Sequence, residues 1–157
     1  MTFAYTCATV DDTRALGSRL AAVLRAGDLI LLSGPLGAGK TALAQGIGAG
    51  LGVAGPVTSP TFVIARVHQP AADRDLAMVH VDAYRLGDAA DPRAEIDELD
   101  LDASLDHCVT LVEWGDGMVE GLADAHLHVR IDRHDDDTRG VVFTPYGGDW
   151  TERLATA

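Results

Sequence analysis

Apolar runs of strand length recur along the chain, set apart by one amphipathic stretch and by connections rich in glycine or acid. Thr2 to Cys7 reads as a first strand. Thr9 followed by Asp12 forms an acidic variant of the capping box. The helix it opens sets Leu16, Leu20 and Leu24 on one stripe, and Gly27 is the expected terminator. Asp28-Leu-Ile-Leu-Leu32 is a strand, and Ala42 to Ile47 continues as a helix that fades through Gly48, Gly50 and Gly52. Phe62 to His68, Leu76 to Val81 and Val109 to Val112 are further strands, with residues 69–75 as a surface hairpin loop. The acid-rich residues 87–107 offer only short helical faces through Ile96, Leu99, Leu101 and Leu105. Ala125 to Ile131 and Val141 to Thr144 form a last hairpin around an exposed acidic loop, Asp135 to Asp137.

Between the second strand and second helix lies Gly34-Pro-Leu-Gly-Ala-Gly-Lys40-Thr41, which fits the phosphate-loop pattern G-x-x-x-x-G-K-[ST] in its required strand-to-helix setting. Gly34, Gly37 and Gly39 let the backbone approach a phosphate without a Cβ in the way. Successive N–H groups, with Ala38 and Ala42 among the residues that contribute them, then face the anion at the positive end of the helix. Lys40 is placed to reach the β- and γ-phosphates, and the Thr41 hydroxyl to ligate Mg²⁺. Eleven of the twelve basic residues are arginine, and Lys40 is the only lysine. A compact ammonium is kept where a planar guanidinium would not fit. The loop points to a bound nucleoside triphosphate.

Strand, loop and helix alternate early and paired strands dominate late. The expected fold is therefore α/β of the P-loop NTPase type: a mixed sheet, parallel at its centre, with antiparallel hairpins and helices on both faces. At 157 residues the chain is expected to be a single P-loop domain spanning residues 1–157. The formal charge of −12 excludes direct binding to nucleic acid unless basic residues cluster, and the sequence holds no such cluster. Cys7 and Cys108, far apart in apolar segments, read as buried free thiols of a reducing compartment. No signal-peptide pattern opens the chain, and no apolar run approaches the ~20 residues of a membrane span. A cytoplasmic protein with no membrane contact is expected.

Turnover needs a metal and a group that orients water. Asp82 and Glu113 each close an apolar strand, and either could hold Mg²⁺ beside Thr41. His80, two residues before Asp82, is read as structural and not as a transition-metal ligand. GTPases of this class read guanine with an Asn-Lys-x-Asp element. This chain has no asparagine, so ATP is the expected nucleotide. Arg66, Arg74, Arg85 and Arg93 leave room for a kinase of a small metabolite, whose lids carry arginines. A nucleotide-binding regulator with little turnover is a third class.

Four motifs occur in order: the phosphate loop, Thr58-Ser-Pro-Thr-Phe62, His80-Val-Asp-Ala-Tyr-Arg-Leu86 and Val112-Glu-Trp114. In these motifs and their spacing the chain resembles the bacterial TsaE (YjeE) family, small ATPases of tRNA threonylcarbamoyladenosine biosynthesis. The resemblance runs from the first helix to the final hairpin. It implies that Lys40 and Thr41 bind phosphate and Mg²⁺, that Glu113 is the second metal-side group, and that Asp82 is an acid needed for turnover. It makes Thr58 to Phe62, with Thr61, a switch-like segment near the γ-phosphate. It also implies nucleotide contacts just before the first helix and in the last hairpin, where Val10 and Arg139 are the nearest matches. The family's Glu-Trp usually continues with proline and an acid, whereas Gly115-Asp116 follow here. The resemblance further implies TsaD and TsaB as partners, which transfer threonylcarbamoyl to an adenosine beside the anticodon. The tRNA would then be met only indirectly, in keeping with the acidic surface.

Overall fold

The computed structural model describes residues 2–35, 39–53, 65–68, 76–82, 108–113 and 125–156, with 65–68 and Asp82 described by their backbone alone. The helices are α1 (Val10–Ala21), α2 (Lys40–Leu51) and α3 (Trp150–Ala155). The strands are β1 (Phe3–Cys7), β2 (Leu29–Ser33), β3 (Ala65–His68), β4 (Ala77–Asp82), β5 (Cys108–Glu113), β6 (His126–Arg133) and β7 (Arg139–Tyr146). Among the described residues they form one sheet in the order β1-β7-β6-β2-β5-β4-β3. The centre, β6-β2-β5-β4, is parallel, while β6–β7, β7–β1 and β3–β4 pair antiparallel. This is the expected α/β fold.

Burial explains why β2 sits in the middle. All five of its residues are buried, as a strand covered on both faces requires. Ile30 and Leu32 join Leu111, Leu127, Val129 and Ile131 in one core with Leu16 and Leu20 of α1 and Leu43 and Ile47 of α2. On the opposite face Leu29, Leu31, Val79, Val81 and Val112 are also buried.

Thr9 caps α1 as its spacing predicts: its side chain accepts from Asp12 N–H, and the Asp12 carboxylate accepts from Thr9 N–H, each at 3.1 Å. The helix ends at Ala21, before Gly27, which serves instead in the turn into β2, where its N–H donates to Cys108 O. Leu24 is buried beyond the helix end.

The second helix does not fade. It runs through Gly46, Gly48 and Gly50 to Leu51 and ends at Gly52, whose φ of 76° caps it. These glycines are where α1 crosses. A Cβ on Gly46 would lie 2.0 Å from Arg14 O, so the two backbones touch. Ser18 Oγ donates to Gly46 O at 3.0 Å, and Arg14 Nε donates to Gln45 Oε1 at 3.1 Å, across the same seam.

The short α3 had no periodic signal in the sequence. Trp150 and Leu154 enter the core, and Arg153 stacks over the Trp150 ring while its guanidinium grips both carboxylate oxygens of Asp28. Among the described residues no helix is long and apolar enough to cross a membrane.

Candidate functional site

The site is assembled where the parallel strands end. Leu32 of β2 lies opposite Glu113 of β5, and Glu113 lies opposite Asp82 of β4, so β4 and β5 end at one level and β2 one residue later, at Ser33. Gly34 follows directly. Its φ is 145°, and a Cβ there would lie 2.2 Å from Ile131 O on β6. Only glycine lets the chain leave β2 at this point against its neighbour.

Lys40, the first residue of α2, is 7% exposed. Its Nζ donates to Gly34 O at 2.7 Å and to Pro35 O at 3.0 Å. The ammonium therefore ties the end of the loop to its beginning. Gly39, the N-cap, makes no side-chain cap bond, and the first turn of α2 carries no acidic residue. By contrast α1 carries Asp11 and Asp12 in its first turn. Among the described residues, the positive end of the α2 dipole therefore meets no acidic side chain from its own first turn. Thr41 and Ala42 follow in that turn, both half-buried.

Two further elements reach Gly39. A Cβ on it would stand 3.9 Å from Thr13 Cγ2 of α1 and 3.9 Å from Arg139 Nε of β7. Sequence reasoning did not single out Thr13. Its signal was its place on the Leu16 stripe, where it reads as an ordinary buried position. Val10, the first residue of α1 and one turn before Thr13, is 50% exposed. Arg139 is only 15% exposed, and its Nη1 donates to Asp137 O at 2.6 Å. The positive charge of Arg133 beside it holds the Asp137 carboxyl below the usual carboxylate range.

Glu113 lies two and four residues beyond Leu111 and Val109, which pack into the core beneath α1 and α2, so it shares their face of the sheet. It is 5% exposed, with Oε2 3.3 Å from Nε2 of His80, itself fully buried. The acid is an interior group and not a loop acid, and His80 is its neighbour. Gly37, Ala38, Thr61 with the rest of the 58–62 segment, and Trp114 lie outside the described residues, as does the Asp82 side chain. Cys7 and Cys108 are unbridged, and burial raises both thiols above their ordinary values. Neither is an activated nucleophile.

A mixed sheet that ends its parallel strands on a glycine loop, a helix start and a strand-end carboxylate defines an α/β fold of the phosphate-loop type. A family model described as "Threonylcarbamoyl adenosine biosynthesis protein TsaE" matches residues 7–141. The chain belongs to the TsaE family, which takes part in tRNA threonylcarbamoyladenosine biosynthesis. It is 56% identical over 148 residues to the TsaE of Streptomyces coelicolor, covering 92% of this chain and 95% of that one. It is likewise 56% identical over 126 residues to the TsaE of Mycobacterium tuberculosis, covering 79% and 75%. The TsaE of Bacillus subtilis is 37% identical over 138 residues, covering 87% and 82%. The crystal structure of Bacillus subtilis YdiB superposes with a TM-score of 0.76 at 29% identity, covering 99% of this chain and 93% of that one.

Proposed function

We propose that this protein is an ATP-binding, Mg²⁺-dependent ATPase of tRNA threonylcarbamoyladenosine formation, acting in the cytoplasm with TsaD and TsaB. The observation that carries the reading is the setting of Lys40. A buried ammonium, held on Gly34 and Pro35, stands at the start of α2, where the N-cap Gly39 makes no side-chain cap bond and the first turn carries no acid. Such a cluster of positive potential suits a polyphosphate.

Gly34, Gly37, Ala38, Gly39, Thr41 and Ala42 supply the backbone of the cradle. Arg139 approaches the cradle at Gly39, and Val10, exposed at the start of α1, is assigned to a nucleotide contact through packing. Thr41 and Glu113 fit a magnesium ion, which asks for hard oxygen ligands and only one or two carboxylates from the protein. Bound there, the ion would neutralise charge on the phosphates. Glu113 lies buried, 3.3 Å from the His80 ring. Asp82, opposite Glu113 on the next strand, is assigned as an acid needed for turnover. Thr61 and its segment are assigned to couple the nucleotide state to the partners, because coupling requires two states that bind differently.

The test is Lys40→Ala. It should lose ATP binding or turnover by several kcal/mol, as expected for charge-assisted contacts to phosphate. Parent-like hydrolysis by a folded Lys40→Ala protein would sink the assignment. A kinase would pass phosphate to a metabolite. The proposed ATPase should release it to water, slowly alone and faster with TsaD and TsaB.

A further inference from the structure

Arg139 reaches Gly39 from the start of β7, and a long, flexible side chain has to be aimed to arrive there. Two residues earlier stands Asp137, whose φ of 69° makes it the one non-glycine residue with positive φ among the described residues. Aspartate tolerates this left-handed conformation better than most side chains do, and β-branched residues tolerate it worst. The turn is closed by two backbone bonds, His134 N–H to Thr138 O at 2.9 Å and Asp137 N–H to His134 O at 3.0 Å.

Asp137 offers different groups to two arginines. Its carboxylate is engaged chiefly by Arg133, with Nε at 2.9 Å and Nη2 at 2.7 Å from Oδ1. Its backbone carbonyl accepts from Arg139 Nη1 at 2.6 Å, whereas the same nitrogen lies 3.4 Å from Oδ1. The shorter contact is the one that depends on the backbone conformation. The carboxylate is 68% exposed, so its pairing is screened by solvent, while Arg139 is mostly buried.

We propose that Asp137 is a positioning residue for Arg139: the carbonyl presented by its left-handed backbone aims the guanidinium at the start of α2, where it meets the phosphates of the bound nucleotide. This rests on the reading of Arg139 as a nucleotide contact. It requires that the conformation at 137 matter and the carboxylate matter little. Glycine and asparagine, which accept positive φ, should serve as well as aspartate, and valine should not.

The experiment measures Mg·ATP affinity by calorimetry for Arg139→Ala, Asp137→Gly, Asp137→Asn, Asp137→Val and the double variant Arg139→Ala/Asp137→Val, with thermal unfolding for each. Loss of one charge-assisted contact corresponds to roughly tenfold in affinity. Arg139→Ala and Asp137→Val should each weaken binding by about that factor, and Asp137→Gly and Asp137→Asn by less than about twofold. The double variant should be no weaker than Arg139→Ala alone. Asp137→Ala, a milder strain on the same conformation, replaces Asp137→Val if the latter does not fold, and an intermediate loss is expected. Parent-like affinity in a folded Asp137→Val protein overturns the proposal. So does a loss in Asp137→Asn equal to that in Asp137→Val, which would hand the role to the carboxylate. If Arg139→Ala itself binds ATP like the parent, the reading of Arg139 fails, and that result is distinct from the other two.

Discussion

Glu113 shows how much one residue's surroundings decide. In sequence it closes an apolar strand and could equally belong to a surface loop. In the fold it lies inside, 3.3 Å from His80, on the face of the sheet that α1 and α2 cover. At 5% exposure the carboxylate is a mostly desolvated group with His80 as its near neighbour. Glu113→Ala should therefore do two separable things. It should destabilise the metal-free protein by about 1–3 kcal/mol, the usual cost of removing one member of a buried polar contact. It should also raise the Mg²⁺ concentration needed for half-maximal hydrolysis. Urea unfolding without metal and a Mg²⁺ titration of the ATPase measure the two effects. An unchanged Mg²⁺ dependence would move the metal role to Asp82.

At the level of elements, the crossing of α1 and α2 gives a case where two effects oppose. Alanine favours a helix interior over glycine by roughly 1 kcal/mol. A Cβ on Gly46, however, would meet Arg14 O at 2.0 Å, and backbone cannot move aside as a flexible side chain can. Crowding wins, so Gly46→Ala should lower stability by about 1–3 kcal/mol despite the better helix propensity. The same change would push α1, with Val10 and Thr13, away from the start of α2, so ATP affinity should fall with stability. Thermal unfolding and calorimetry on the same samples check the pair of outcomes. Helix α3 is held differently. Arg153 donates to both oxygens of the mostly buried Asp28 at 2.8 and 2.9 Å and to Val23 O at 2.9 Å. Arg153→Ala would leave the Asp28 charge inside without its main partner, which costs about 3 kcal/mol or more. Chemical denaturation should read that loss. A change under about 0.5 kcal/mol would mean that Trp150 and Leu154, and not the Arg153–Asp28 pair, hold α3 in place.

For the molecule as a whole the dominant quantity is the charge of −12. Pairs such as Arg130–Asp132 and Arg133–Asp137 are exposed and worth little each, but the summed field extends over a Debye length of roughly 8–10 Å. Such a field steers docking onto a basic partner face and mainly affects the association rate. Association with the proposed TsaD–TsaB pair should slow by about tenfold or more as salt rises from ~0.05 to ~0.5 M, with a smaller change in the dissociation rate. Stopped-flow mixing across that range is the measurement. An association rate indifferent to salt would show that contacts other than charge guide the encounter.

Local rules made some features readable from the chain alone. The capping box at Thr9 and Asp12 needs residues three apart, and the phosphate loop needs its glycines, lysine and threonine at fixed spacing between strand and helix. The apolar runs of β2, β4 and β5 announced buried strands, and Asp82 and Glu113 stood at their ends, so the carboxyl edge of the sheet was legible before its strand order was known. Everything that depends on which backbone lies beside which had to wait for the fold. Gly48 and Gly50 read as a dying helix because glycine is a poor helix former, and nothing local says that α1 crosses at Gly46 and Gly50. Thr13, three residues before Leu16, drew no notice in the sequence, and only the fold sets it against Gly39. The antiparallel place of β1 against β7, the docking of α3 on Asp28 and the meeting of His80 with Glu113 join residues 33 or more positions apart. Periodicity over a few residues carries no information about contacts at such separations, which are set by sheet order and by the volume each face must fill.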